Sequence, residues 1–217
     1  MNMTLTIIIS LILILIIGFV YIQIQLRKLK EDFKYAANYK HTFVELTNKW
    51  RSKDELDNEK YVWLTMNANK IQSIIGGFGI IDYIAPMQTY TIPNYHVILN
   101  NLPRFRDGKI SNFEINTTDD CLLRYLGHVK NNIDSILKKI KNPLYWFKEG
   151  IKLIIGSPFL LLAWFEIINQ NTLNRILSNF LYNVITGIIS LFTFLSSIIT
   201  IIIGKDEFLK YIHDFFN

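Results

Sequence analysis

Two long stretches of this chain, residues 4–23 and 176–204, carry no charged side chain and consist mainly of Ile, Leu, Phe and Val. A soluble domain rarely buries such runs on every side, whereas a bilayer core of roughly 30 Å is spanned by about 20 apolar residues at about 1.5 Å each. The chain has 217 residues, half of them hydrophobic and 19% charged, with the apolar ones gathered at its two ends. That distribution predicts an all-α membrane protein: an N-terminal transmembrane anchor, a cytoplasmic helical bundle-like domain and a C-terminal transmembrane helical hairpin. The predicted limits are 1–24 for the first span, 25–142 for the helical domain, 143–204 for the hairpin and 205–217 for an amphipathic tail. Met1 to Met3 are uncharged and no small-residue cleavage site follows, so the first stretch reads as a retained anchor, not a signal peptide.

Orientation follows from the cations. Arg27, Lys28, Lys30 and Lys34 come directly after the first span, and Lys138, Lys139, Lys141, Lys148 and Lys152 gather at the approach to the second. With the N-terminus outside, three spans and the C-terminus inside, Arg175 is the only one of 23 Lys and Arg left on the outer side. The basic clusters then face anionic headgroups and fix orientation. The least regular span is the second, 151–168, because Lys152 and Glu166 lie within it and Gly156, Ser157 and Pro158 interrupt it. Its alternative is a re-entrant or interfacial helix broken at Pro158. The third apolar run, about 43 Å as one helix, exceeds the bilayer core and must tilt or begin among the headgroups; its span is placed at about 180–204.

Within that run Asn183, Ser190, Ser197 and Gly204 recur every seven residues, and Thr186, Thr193 and Thr200 form a second series three positions later. One narrow stripe of small, polar side chains on an apolar rod predicts a helix-packing seam, through which the chain assembles with itself or with other spans. The alternative is a polar pore lining built by several copies. The tail places Phe208, Tyr211, Ile212 and Phe215 at helical spacing, suited to the inner interface or to docking on the helical domain.

Three helices are expected in the middle region. The first continues from the anchor with Leu29, Phe33, Ala36, Phe43 and Trp50 near one face. The second runs from Asp54 as N-cap through Trp63, Leu64, Ile71 and Ile75 to Gly76 and Gly77. The third carries Leu122, Leu126, Val129, Ile133, Ile136 and Ile140 at coiled-coil-like spacing behind Asn116, Thr117, Thr118 and Asp119 as start signals. Residues 79–108, with Pro86, Pro93 and Pro103, read as an irregular connection or short strands.

No constellation for chemistry emerges. His41 and Glu45 share a helix face but lack further metal ligands, and Cys121 and His128, seven residues apart, are too distant on one helix to act as nucleophile and base. Asp119 and Asp120 suit a helix start, and Gly76, Gly77 and Gly79 follow a helix instead of opening a phosphate loop. One cysteine excludes an internal disulfide. Between residues 27 and 141, 18 Lys and Arg are balanced by 13 Asp and Glu with no basic stripe, which argues against nucleic acid. The expected function is therefore non-enzymatic, without cofactor or metal: a membrane scaffold or sensor subunit whose helical domain binds a protein partner. The rivals are a channel or membrane-permeabilising effector, with Ser190, Thr193 and Ser197 facing water, and a tethered enzyme using residues near His41, His96 or Cys121.

Overall fold

The computed structural model describes residues 3–52, 56–84 and 91–203. Its elements are α1 (Met3–Arg51), α2 (Asn58–Ile75), β1 (Ile80–Ile84), β2 (Thr91–His96), α3 (Val97–Asn101), α4 (Pro103–Arg106), α5 (Asn112–Lys139), α6 (Pro143–Trp164), α7 (Gln170–Ser178) and α8 (Phe180–Ile203). The chain is thus mostly helical, and the expected all-α fold is corrected by one antiparallel strand pair. It divides into two compact units: Met1–Leu26 with Ile136–Asn217, called the apolar unit below, and Arg27–Ser135, the helical unit. Each of α1 and α5 contributes residues to both.

The helical unit is built on the second half of α1. Ala36, Tyr39, Phe43 and Leu46 recur at three and four residues and are fully buried against Leu64, Ile71 and Ile75 of α2, Phe105 of α4 and Leu122 and Val129 of α5. These are largely the faces that periodicity marks. Asp54 lies outside the described residues, and the cap of α2 is Asp57, whose carboxylate accepts the Lys60 backbone N–H at 3.2 Å. At its other end Gly76 adopts φ +50° and returns its N–H to the Gln72 carbonyl, the role expected of it.

The start of α5 differs from expectation. It begins at Asn112, ahead of Asn116–Asp119, because Ser111 and Glu114 form a reciprocal capping box: the Ser111 N–H donates to Glu114 Oε2 at 2.8 Å and the Glu114 N–H to Ser111 Oγ at 3.3 Å. Glu114 is buried, and its other oxygen pairs with the Arg104 guanidinium. In the strand pair, Ile81 faces Tyr95 and Tyr83 faces Ile92, so the register slips by one residue between them. The slip accompanies Asn94 at φ +54°, a conformation Asn tolerates better than most, with its N–H donated to Asp82 Oδ1.

Asp57 also links this unit to pH. A hydrogen bond from Lys49, then one from the Lys60 N–H, holds its carboxyl below the ordinary value of 3.8. A depressed folded value means that the contribution is present above the unfolded pKa and lost as pH falls through the folded one. The first turn of α2 is expected to loosen as the pH drops below 3.8, read as faster Lys60 amide exchange. Asp57→Ala should open that turn at neutral pH; an unchanged exchange rate in the variant would refute the cap's role.

The apolar unit contains the first half of α1 with α6, α7 and α8. α6 starts at Asn142, which caps the Leu144 N–H at 2.9 Å, and it remains unbroken through Pro158. Proline lacks the N–H that would reach the Ile154 carbonyl, and Ser157 Oγ donates to that same oxygen at 2.8 Å instead. The re-entrant break at Pro158 is therefore corrected. So are the limits 151–168, since the helix ends at Trp164 and a turn follows with Glu166 at φ +60°. The third apolar run is also two helices. Asn179, with ψ 137°, ends α7 and accepts the Leu181 N–H at 2.8 Å to start α8. Two helices, α1 and α8, are long and apolar enough to cross a membrane. α6, carrying Lys148, Glu149 and Lys152, is not one of them.

Candidate functional site

The stripe on α8 lies on the side of that helix turned into the apolar unit. Thr186 and Ser190 are buried, Asn183, Thr193, Ser197 and Thr200 are half-buried, and the intervening Ile and Leu are largely exposed; Gly204 lies outside the described residues. α6 supplies the packing partner. Phe147 meets Phe194 with ring centroids 5.6 Å apart, the Tyr182 hydroxyl donates to the Lys152 carbonyl at 2.9 Å, and Gly156 leaves room for the Tyr182 ring.

The hydroxyls themselves do not bridge helices. Thr186 Oγ1 donates to the Tyr182 carbonyl, Ser190 Oγ to Thr186, Ser197 Oγ to Thr193 and Thr200 Oγ1 to Ser196, all at 2.7–2.9 Å. Each of these four hydroxyls is thus satisfied one turn back on its own helix, which lets a small side chain sit in an apolar seam without an orphaned donor. The C-terminal half of the stripe is open: Phe192, Thr193, Ser196, Ser197 and Thr200 line a groove of about 360 Å³ with Ile7 of α1.

The tightest packing in this unit escaped the sequence reading. α1 and α6 meet at Gly18 and Gly150: a Cβ on Gly18 would fall on the Trp146 carbonyl oxygen and 2.8 Å from the Gly150 nitrogen, and one on Gly150 would fall on the Ile14 carbonyl. Two backbones approach this closely only where both helices present glycine. Phe19 packs edge-on to Trp146 beside the crossing, at 4.8 Å. Single glycines in separate helices carry no periodic signal, so spacing alone does not reveal them. Glu149, buried at 9% exposure beside that crossing, was missed for a similar reason, standing between Lys148 and Lys152 as part of a charged approach.

The basic residues are solvated. Arg27, Lys28, Lys30, Lys34, Lys138, Lys139, Lys141 and Lys148 are exposed, and Lys152 is half-buried. Arg27 pairs with Glu31 one turn on.

In the helical unit the other candidates stay apart. His41 Nδ1 lies 3.8 Å from Glu45, which also takes Lys60 at 3.1 Å. That contact raises the Lys60 ammonium above its ordinary value. Cys121 is packed among Tyr95, Val97, Ile81 and Tyr83, and burial pushes its thiol up, away from the nucleophilic thiolate. His128 belongs to a different surface, 2.9 Å from the Asn132 amide and packed at a tilt on Phe78, with ring centroids 5.1 Å apart. Asp119 pairs with Lys40 at 3.0 Å instead of with Asp120. No group of three His, Cys, Asp or Glu suited to a metal occurs among the described residues.

His128 and Phe78 do mark a cleft. With Leu29, Ile74, Ile75, Tyr125 and Val129 they line an open, mainly apolar depression of about 450 Å³, with Gly77 and Asn132 completing it. A scan of protein-family models and searches of curated proteins and solved structures found no match to the chain.

Proposed function

We propose that the protein is an integral membrane interaction or sensor subunit without enzymatic activity. In this reading α1, α6 and α8 are its three spans, the N-terminus is outside, and the helical unit and C-terminus are cytoplasmic. The stripe from Asn183 to Thr200 serves helix assembly in the bilayer, and the cleft around Phe78 receives apolar side chains of a protein partner or of a second copy. One observation carries the reading: α1 supplies both a charge-free membrane-length stretch and the central core helix of the helical unit. The same element thus suits both anchoring and presentation of a domain. Labelling of single cysteines in intact and opened vesicles tests the layout. Positions near Asn171 should be reached from outside and positions near Lys109 only after opening, and the reverse pattern would overturn the orientation. The mass in nanodiscs tests assembly, since a strictly monomeric chain that no cytosolic protein joins would remove the scaffold role.

A second reading, a channel or membrane-permeabilising effector, is favoured by one feature, the hydroxyl-lined groove on the C-terminal half of α8. It requires water along Thr193, Ser196 and Ser197. Expression should then leak dye from vesicles, with Ser197→Leu abolishing the leak; vesicles that stay tight with the unsubstituted chain exclude it.

A further inference from the structure

We propose that the distal end of the apolar unit, formed by residues 157–164 of α6 together with α7, is an interfacial element that lies on the bilayer surface and binds phospholipid there. The inference rests on the membrane reading above and deepens it, because anchoring and assembly assign nothing to this end.

α7 packs on α6 with its apolar side. Leu173 is buried, Ile176 and Leu177 are half-buried, and a Cβ on Gly156 would meet Leu177 at 3.2 Å and the Tyr182 hydroxyl at 2.8 Å. The side of α7 turned away from that contact is polar: Asn171, Asn174, Arg175 and Ser178 are exposed. On α6 the exposed side is apolar instead. Pro158, Leu161 and Trp164 recur there every three residues, and the Phe165 ring follows, 5.0 Å from that of Trp164. Each helix hides one side against the other, so the pair presents an apolar surface on one side and a polar one on the opposite side.

This end projects past the membrane-length helix. Gly156 lies beside Tyr182 near the start of α8, and α6 continues from there for eight residues, about 12 Å, to Trp164. When α8 spans the hydrocarbon, the end therefore lies outside it. Standing upright, it would hold Leu161, Trp164 and Phe165 in water, at 54%, 76% and 64% exposure. Laid along the surface, it turns them into the acyl boundary, continuous with the apolar surface of α8, and leaves the polar side to water. Two features permit that posture. α6 stays helical at Pro158 but has one backbone N–H fewer there, and Asn179 separates α7 from α8 near the same level.

The charge fits a phospholipid as well. Arg175 is the only Lys or Arg between Lys152 and Lys205, is exposed, and forms no ion pair among the described residues. Its guanidinium is thus free to take a headgroup phosphate. Glu166, the one acid of this end, stands in the turn and makes no ion pair with it. A second copy would cover the apolar side alone, whereas a lipid surface supplies both the apolar boundary and the anion.

The test uses the full chain in vesicles of phosphatidylcholine and phosphatidylglycerol, with Cys121→Ala removing the native thiol. Single spin labels are placed through Leu161→Cys, Trp164→Cys, Asn171→Cys and Asn174→Cys, all exposed positions. Collision with oxygen, which concentrates among acyl chains, is compared with collision with a water-soluble nickel chelate. The oxygen-to-nickel ratio at Leu161 and Trp164 should be at least about threefold that at Asn171 and Asn174. Nickel access as high at Leu161 as at Asn174 overturns the proposal, and so does a Leu161 label that neither reagent reaches, the signature of a second copy or a partner on that side. Arg175→Glu should lower the ratio at Leu161 about twofold, while Arg175→Lys leaves it unchanged. Equal ratios in those two variants refute the phosphate contact. Alkaline-carbonate extraction of the same vesicles reads anchoring separately: release of the chain defeats the membrane reading, whereas a retained chain with Leu161 open to nickel defeats the interfacial element alone.

Discussion

Gly18→Ala and Gly150→Ala should each destabilise the apolar unit severely, while Gly187→Ala, on α8, should stabilise it. The same atom is added in all three cases, and only its surroundings differ. At Gly18 and Gly150 it falls on the carbonyl oxygens of Trp146 and Ile14, backbone atoms that cannot rotate aside; at Gly187 nothing lies within 4 Å. Separating α1 from α6 to admit the methyl group breaks the contacts on both sides of the crossing, including that of Phe19 with Trp146. The loss should reach or exceed the roughly 1–3 kcal/mol typical of overpacking. At Gly187 the change only removes glycine's helix penalty, a gain of up to about 1 kcal/mol. Thermal unfolding in mild detergent, followed by the fraction of chain remaining monodisperse, separates the signs. Equal melting of Gly18→Ala and Gly187→Ala would refute the close crossing.

Phe43→Ala should be the most damaging single truncation in the helical unit. Phe43 is 2% exposed, packs edge-on to Phe105 at 5.9 Å, and Phe105 packs likewise on Trp50 at 6.0 Å, so its removal leaves a void between α1 and α4. Phe-to-Ala changes at such sites cost about 3–5 kcal/mol, against a total of about 5–15 kcal/mol for a typical domain. Phe43→Leu, which keeps most of the volume, should cost much less. Denaturant titration of the full chain, followed by tryptophan emission, reads both; a shift below about 1 kcal/mol for Phe43→Ala would show that the void collapses at little cost.

What was legible in the sequence is what depends on spacing along one helix. The buried faces of Phe43, Leu64, Ile71, Leu122 and Val129 repeat every three or four residues, and the turn at Gly76 follows from glycine's tolerance of positive φ. Helix starts were harder, because several polar residues compete for one cap. Asn116–Asp119 resembles a start more than Ser111 with Glu114 does, yet the reciprocal bonds and the Arg104 pair favour the earlier position. The strand pair was ambiguous for a related reason: its alternation is broken by Asn94, and Pro93 within β2 weakens the strand signal. Asn179 stands in a charge-free run, so counting charge alone joined two helices into one. The Gly18–Gly150 crossing and the place of Glu149 depend on residues more than 130 positions apart, a relation that no local pattern carries.

The break at Asn179 also bears on which bilayer suits the chain. It leaves α8 with 24 residues, about 36 Å, in place of a rod of about 43 Å. In the proposed membrane setting the shorter helix matches a hydrocarbon core of about 30 Å with a tilt of roughly 30°, within the range membrane helices adopt. A thicker, sterol-rich bilayer would bring α8 closer to upright, and a thin one would lay it further over. In that setting Asn179, by starting α8 where it does, would bear on the membrane thickness that suits the helix.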